Sequence, residues 1–138
     1  MEKETKSLIK DYMLKAGQPN KKTLDDLCRK IVKLRDRKCC VCGSTSYLQT
    51  AHFITRSNYA VRWDLDNIWL LCSGCHLMRR NSWHKDPASA SEWVRNVLGE
   101  DRYNNLRMRA STVGQKIDKN TVLLYLKQEK RRIENGRK

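Results

Sequence analysis

No apolar run in the chain approaches the roughly 18 residues that cross a bilayer, and no basic, apolar and small-residue series marks its start as a secretory leader. Both absences argue for an intracellular protein without a membrane partner, in a compartment where thiols stay reduced and bind metal. Acid is scarce too: 15 Asp and Glu stand against 29 Lys and Arg in 138 residues, for a net charge of +14 and a pI near 9.8. That imbalance points to a polyanionic partner, nucleic acid before an anionic membrane surface. Hydrophobic residues make up 39% and mean hydropathy is −0.78, so the chain is one domain's worth with a modest core. Histidine is nearly missing, with three in all. No repeat or low-complexity tract appears.

Cysteine, by contrast, is plentiful. Four of the six form two Cys-x-x-Cys pairs, Cys39/Cys42 and Cys72/Cys75, with 29 residues between them. Each pair bends the chain enough to set two sulfurs about 2.3 Å from one ion, the pattern of a structural zinc in a tetrahedral four-thiolate site. Two disulfides, or unrelated buried thiols, are the competing readings. Metal binding would add folding free energy that a small core lacks. Cys28 falls on an apolar helix face and reads as a small core residue. Cys40 stands between ligands, but the two-residue spacer to Cys42 favours Cys39.

In chain order, residues 4–16 read as a helix with Leu8, Ile9, Tyr12 and Met13 on one face. Ala16-Gly17-Gln18-Pro19 ends it. Thr23 with Asp26 resembles the start of a second helix. Its apolar stripe is Leu24, Leu27, Cys28, Ile31 and Leu34, and its far side is basic. Tyr47–Ala51 and Asn67–Leu71 have the length and residue types of short strands, separated by a basic loop over residues 53–63. From Cys75 to about Asn81 a short helix is expected. Asp86-Pro87 and a Ser89-x-x-Glu92 capping box announce a helix that stops at Gly99. Another is expected over Glu100–Ala110 with Tyr103, Leu106 and Met108 inward, and a last one from Thr121.

Several of these residues together resemble a known family. Arg35-Asp36-x-x-Cys39-x-x-Cys42-Gly43, a histidine ending the first strand, Asn67 before the second, and Leu71-Cys72-x-x-Cys75-His76 look like an HNH (His-Me finger) endonuclease. Ala51-His52-Phe53, Arg62-Trp63-x-x-Asp66-Asn67-Ile68, the second cysteine pair and a helical tail are closer to the NinG/Rap phage recombination endonucleases. The likeness covers roughly residues 35–110.

The resemblance implies an α+β, mainly helical protein. A ββα-metal core with a four-cysteine zinc knuckle would span residues 35–85, flanked by helical regions over 1–34 and 86–138. It implies a metal-dependent DNA endonuclease with His52 as general base and Asn67 fixing the His52 loop or its imidazole. His76 would hold a catalytic Mg²⁺ or Mn²⁺. A neutral histidine suits the proton transfer, since its ordinary pKa lies near 6.5. By the same likeness the substrate is branched or junction DNA and the source a phage, hence the host cytoplasm. Paired cuts across a junction fit a homodimer. Arg56, Arg62, Arg79, Arg80 and Lys85 cluster around these residues as phosphate contacts. The four tryptophans read as core.

One position departs from the common HNH pattern. Ala51 precedes the base where many members carry an aspartate or histidine, so a second metal ligand is unassigned. His84, eight residues past His76, reaches the metal if the helix continues past Asn81; Asp64 and Asp66 are the loop alternatives. The rival readings are a zinc-stabilised DNA-binding module without catalysis and a sequence-specific homing or restriction nuclease.

Overall fold

The computed structural model describes residues 18–112, 114 and 116–136, and the helix expected over residues 4–16 lies outside them. Helix α1 spans Lys21–Asp36. Its cap is Asn20 rather than Thr23: the Asn20 side-chain oxygen accepts both the Thr23 N–H (2.8 Å) and its hydroxyl (2.9 Å). Asparagine satisfies an orphan N–H at a helix start as well as threonine does, and it sits where the backbone is still extended. Leu24, Cys28, Ile31 and Val32 are the buried residues of α1, Val32 in place of the expected Leu34.

Strands β1 (Leu48–His52) and β2 (Ile68–Cys72) pair antiparallel, with Leu48 opposite Cys72 and His52 opposite Ile68. Alternation along β2 then splits the core in two. Ile68 and Leu70 pack with α1 and with Leu126 of α4 (Lys119–Asn135). Trp69 and Leu71 pack with Ala90, Val94 and Leu98 of α2 (Pro87–Leu98) and with Tyr103 and Leu106 of α3 (Glu100–Ala110). Every residue of β2 is buried, and each leucine or isoleucine so covered contributes about 1.5–3 kcal/mol. Among the described residues β1 pairs with β2 alone.

Polar contacts fix α1 to the sheet. The Asp36 carboxylate accepts from Arg35 Nε (2.7 Å) and from the Leu70 backbone N–H (3.0 Å). The Arg35 guanidinium lies 4.6 Å over the Trp69 ring and donates to the Leu65 carbonyl at 2.8 Å.

The segment after β2 departs from expectation. In place of a helix over residues 75–81 there is one π-type turn, Gly74–Met78, closed by the Arg79 N–H on the Gly74 carbonyl at 2.9 Å. Arg79 is already extended (φ −72°, ψ 157°), and the chain folds back so that Trp83 and His84 donate to the carbonyls of Cys75 (2.9 Å) and His76 (3.1 Å). The next helix starts at Pro87, capped by Asp86, which accepts the Ser89 N–H at 3.2 Å; Ser89 is therefore not the cap. Met108, expected inward, is 68% exposed. Asp118 caps α4, which starts at Lys119, two residues before the expected Thr121. The protein is thus α+β and mostly helical, with a small antiparallel sheet and no helix among the described residues long and apolar enough to cross a membrane.

Candidate functional site

The sulfurs of Cys39, Cys42, Cys72 and Cys75 all lie within 4.8 Å of one another. Each pair closes a tight loop in which a backbone N–H turns to the first sulfur, Cys42 N–H to Cys39 (3.5 Å) and Cys75 N–H to Cys72 (3.4 Å). Cys42 and Cys72 Sγ are 3.6 Å apart, close to the edge of about 3.8 Å in a tetrahedron with 2.3 Å metal–sulfur bonds and far from a disulfide of about 2.05 Å. The donor set therefore fits a metal such as zinc. Cys40 is not in the group. Burial first, then the Asp36 carboxylate beside it, pushes its thiol up to about 12. Cys28 is buried in the α1 core, as expected.

An open cleft of about 870 Å³ takes in Thr50, His52 and Phe53 from the end of β1 and the loop after it. One wall is α1, with Lys21, Lys22, Asp25 and Arg29; the other is the turn and α2, with His76, Trp83, His84 and Pro87. All three histidines of the chain line it. His52 ends β1, and its Nε2–H donates to the Arg62 carbonyl at 2.8 Å. A carbonyl only accepts, so the lone pair of that ring is on Nδ1. His76 donates Nδ1–H to Gln49 Oε1 at 2.7 Å, which leaves its lone pair on Nε2. The His84 ring packs edge-on to His76, with centroids 4.8 Å apart. It arrives there through the folded-back loop and not along a continued helix.

Both inner imidazoles are held neutral. For His52 burial is the main cause of a lowered pKa, opposed by the Arg62 carbonyl and Asp25 and assisted by Arg56 and Arg62. For His76 burial leads again, followed by the neighbouring His84 and His52.

Asn67 has no exposed surface. Its oxygen accepts the Ile54 N–H (2.6 Å), and its amide donates to the carbonyls of Ile54 (3.0 Å) and Val61 (3.1 Å). It staples the loop that follows His52 and makes no bond to the imidazole itself.

The expected phosphate contacts separate. Arg56 is exposed and lines the cleft, 3.7 Å from Asp25. Arg62 lines it too but is not free: it is buried, and its Nε and Nη2 grip Asp25 at 3.0 and 2.6 Å. Arg79 sits on the thiolates, 3.5 Å from Cys75 Sγ, whose charge raises its pKa further. Lys85 is turned to the Met78 carbonyl at 2.9 Å. Neither Arg79, Arg80 nor Lys85 lines the cleft. The basic wall is instead Lys21, Lys22 and Arg29 of α1; of these the sequence placed only Arg29 on the basic side of the helix. Asp64 and Asp66 are also removed from the metal question, since they pair with Arg109 (2.6 Å) and Arg102 (2.6 Å) away from the cleft. Ala51 is fully buried against Trp69 and Leu71. Gln49 and Asp25, both in contact with the site, carried no signal in the sequence beyond their places in a strand and a helix.

The chain matches no family model, no curated protein and no solved structure.

Proposed function

We propose that this protein is a metal-dependent DNA endonuclease of the HNH (His-Me finger) kind, most like the NinG/Rap branch. One observation carries the reading: His52 and His76 open on the same basic cleft, each with one ring nitrogen tied to a neutral acceptor and the other left basic. His52 Nδ1 is then the base that takes a proton from the attacking water. Asn67 keeps the His52 loop in place. Arg56 and the lysines of α1 hold the phosphate backbone, without reading sequence.

The four cysteines hold a structural zinc, whose closed shell leaves no position for substrate. His76 Nε2, with His84 at the rim, is the donor for a catalytic divalent ion. Two imidazoles fit an ion that keeps most of its shell as water and phosphate oxygens. Bound there, it would neutralise charge on the phosphoryl oxygens and on the leaving 3′ oxygen.

A second reading has its own observation. Ala51 is buried beside the base and offers no ligand, which favours a zinc-stabilised DNA-binding module that does not cut. The test is cleavage of plasmid, linear and four-way-junction DNA with Mn²⁺ or Mg²⁺, beside His52→Ala and EDTA controls. Metal-dependent cutting lost in His52→Ala, strongest on the junction, supports the nuclease. Tight binding without cutting supports the module, and cutting at one fixed site supports a homing or restriction enzyme.

A further inference from the structure

Helix α1 enters the site through Asp25. Its carboxylate accepts three hydrogen bonds from two consecutive residues of the loop opposite: Arg62 Nε at 3.0 Å, Arg62 Nη2 at 2.6 Å and Trp63 Nε1 at 2.8 Å. The remaining fork of Arg62 reaches back to the Arg56 carbonyl at 3.4 Å. Both loop side chains are buried, Arg62 at 7% and Trp63 at 3% exposure. The Arg62–Trp63 peptide is therefore clamped at both of its side chains, and its carbonyl is the one that receives His52 Nε2–H at 2.8 Å.

A buried ion pair seldom stabilises a fold more than apolar packing of the same volume would, because two charges must be desolvated to make it. What such a pair does supply is direction, and here three bonds converge on one peptide group. Resting on the nuclease reading, we infer that Asp25 is a positioning residue for His52: through Arg62 and Trp63 it sets the carbonyl that selects the Nε2–H tautomer and so puts the basic lone pair on Nδ1.

The arrangement has two independent holds on one loop. Asn67 holds it at Ile54 and Val61, and Asp25 holds its last two residues, Arg62 and Trp63. Loss of Asp25 therefore leaves the loop in place while freeing the Arg62 carbonyl to turn. The ring then loses the acceptor that distinguished its two nitrogens, and part of the population presents Nε2 as the base, off the geometry set by β1. This predicts a fault in turnover rather than in DNA binding.

The test compares wild type with Asp25→Asn, Asp25→Glu and Trp63→Phe, each checked for zinc content and melting. Long-range ¹H–¹⁵N spectra of the histidine rings report the tautomer directly. Asp25→Asn should turn the single Nε2–H pattern of His52 into a mixture and lower kcat about 10-fold or more, part of the 10²–10⁴ that a positioned base contributes. KM for junction DNA should not rise, because the substitution takes no cation from the cleft and only removes a negative charge beside Arg56. Asp25→Glu should recover part of the rate. Trp63→Phe, which removes one bond and no charge, should shift the same His52 signals in smaller measure, and it decides the matter if the Asp25 variants do not fold. A folded Asp25→Asn protein with an unmixed His52 spectrum and wild-type kcat overturns the inference. Wild-type protein that cuts no DNA sinks the nuclease reading alone, since the His52 spectra still decide what Asp25 does.

Discussion

Gln49 and His76 meet through a single hydrogen bond of 2.7 Å, from the imidazole Nδ1–H to the amide oxygen. Gln49 comes from the two-stranded sheet and His76 from the turn Gly74–Met78, so the bond ties that turn to the strand that ends in His52. A neutral acceptor leaves the imidazole uncharged and its Nε2 lone pair exposed, the arrangement that prepares a histidine to ligate. Removing that partner frees the ring to rotate and to exchange tautomers. Gln49→Leu should therefore raise the Mn²⁺ concentration for half-maximal cleavage about 10-fold or more while leaving DNA affinity in the absence of metal unchanged. The check is a metal titration of cleavage beside a binding curve in EDTA. An unchanged metal requirement would show that the bond is only a packing contact.

The donors at the cleft also rank the ions. Imidazole nitrogen binds the borderline divalent ions better than hard Mg²⁺, which prefers a shell of oxygens. Mn²⁺ should therefore support half-maximal cleavage at a concentration at least about 10-fold below Mg²⁺, and His84→Ala should narrow that gap by removing the second imidazole. Equal requirements for the two ions in wild type would mean that phosphate and water supply nearly the whole shell.

At the knuckle the prediction is structural. Apparent zinc affinities of about 10–16 kcal/mol in four-ligand sites match or exceed the whole stability of a typical domain. Cys72 ends the strand whose residues enter both core clusters, and Cys75 follows it by three residues. Removing the metal, or making Cys72→Ser, should thus unfold the sheet and everything packed on it. Cys40→Ser should change stability by less than about 1 kcal/mol, because that thiol stands outside the cluster and stays protonated, pushed up to about 12. A chelating indicator should count one zinc per wild-type chain, one in Cys40→Ser and none in Cys72→Ser. A four-thiolate cluster that carries no zinc and melts unchanged after chelation would contradict this.

The sequence exposed the cysteine pairs, both strands and the ends of two helices, because each of these is a local pattern: a two-residue spacer, an apolar run, a proline or a glycine at a boundary. What it concealed came from contacts distant along the chain. Arg62 looked like a phosphate contact because a lone arginine in a basic loop carries no mark of the Asp25 that neutralises it. The helix expected after Cys75 met the fold-back of Trp83 and His84, whose backbone bonds to Cys75 and His76 override helix propensity. The same fold-back brings His84 to His76 by a route that helical spacing did not foresee. Lys21 and Lys22 became cleft residues only because α1 packs against the Ile68–Leu70 side of the sheet.

The lowered pKa of His52 sets a sign for pH effects. Its ordinary value is 6.5, and burial, the largest cause, moves it down. The unfolded chain therefore binds this proton more readily than the folded one. The contribution of neutral His52 to stability is present above pH 6.5 and is lost as pH falls through the lowered folded value. The acid limb of kcat/KM should accordingly fall below 6.5, with an even rate from there to about pH 8. His52→Gln should flatten the loss of melting temperature between pH 7 and pH 5 relative to wild type. A rate that climbs with a midpoint above 7 would mean that another group governs the proton.

The α1 wall gives the last prediction. Lys22 and Arg29 share Asp26 at 2.8 and 3.3 Å, and Lys21 lies 4.7 Å over the exposed Tyr59 ring. These are surface contacts of the kind worth little in water, about 0–1 kcal/mol each, so a phosphate can replace them at small cost. Each lysine or arginine that does engage a phosphate releases a condensed counterion, and the slope of log affinity against log salt falls by about 1 when that residue is removed. Lys21→Ala with Lys22→Ala should lower the slope by nearly 2 on duplex or junction DNA, and Arg56→Ala by about 1. Arg80→Ala and Lys85→Ala should leave it unchanged, since neither lines the cleft. The reverse ranking would place the nucleic acid on the knuckle side of the molecule, away from His52, and no arrangement of the three imidazoles would then bring the scissile phosphate to the base.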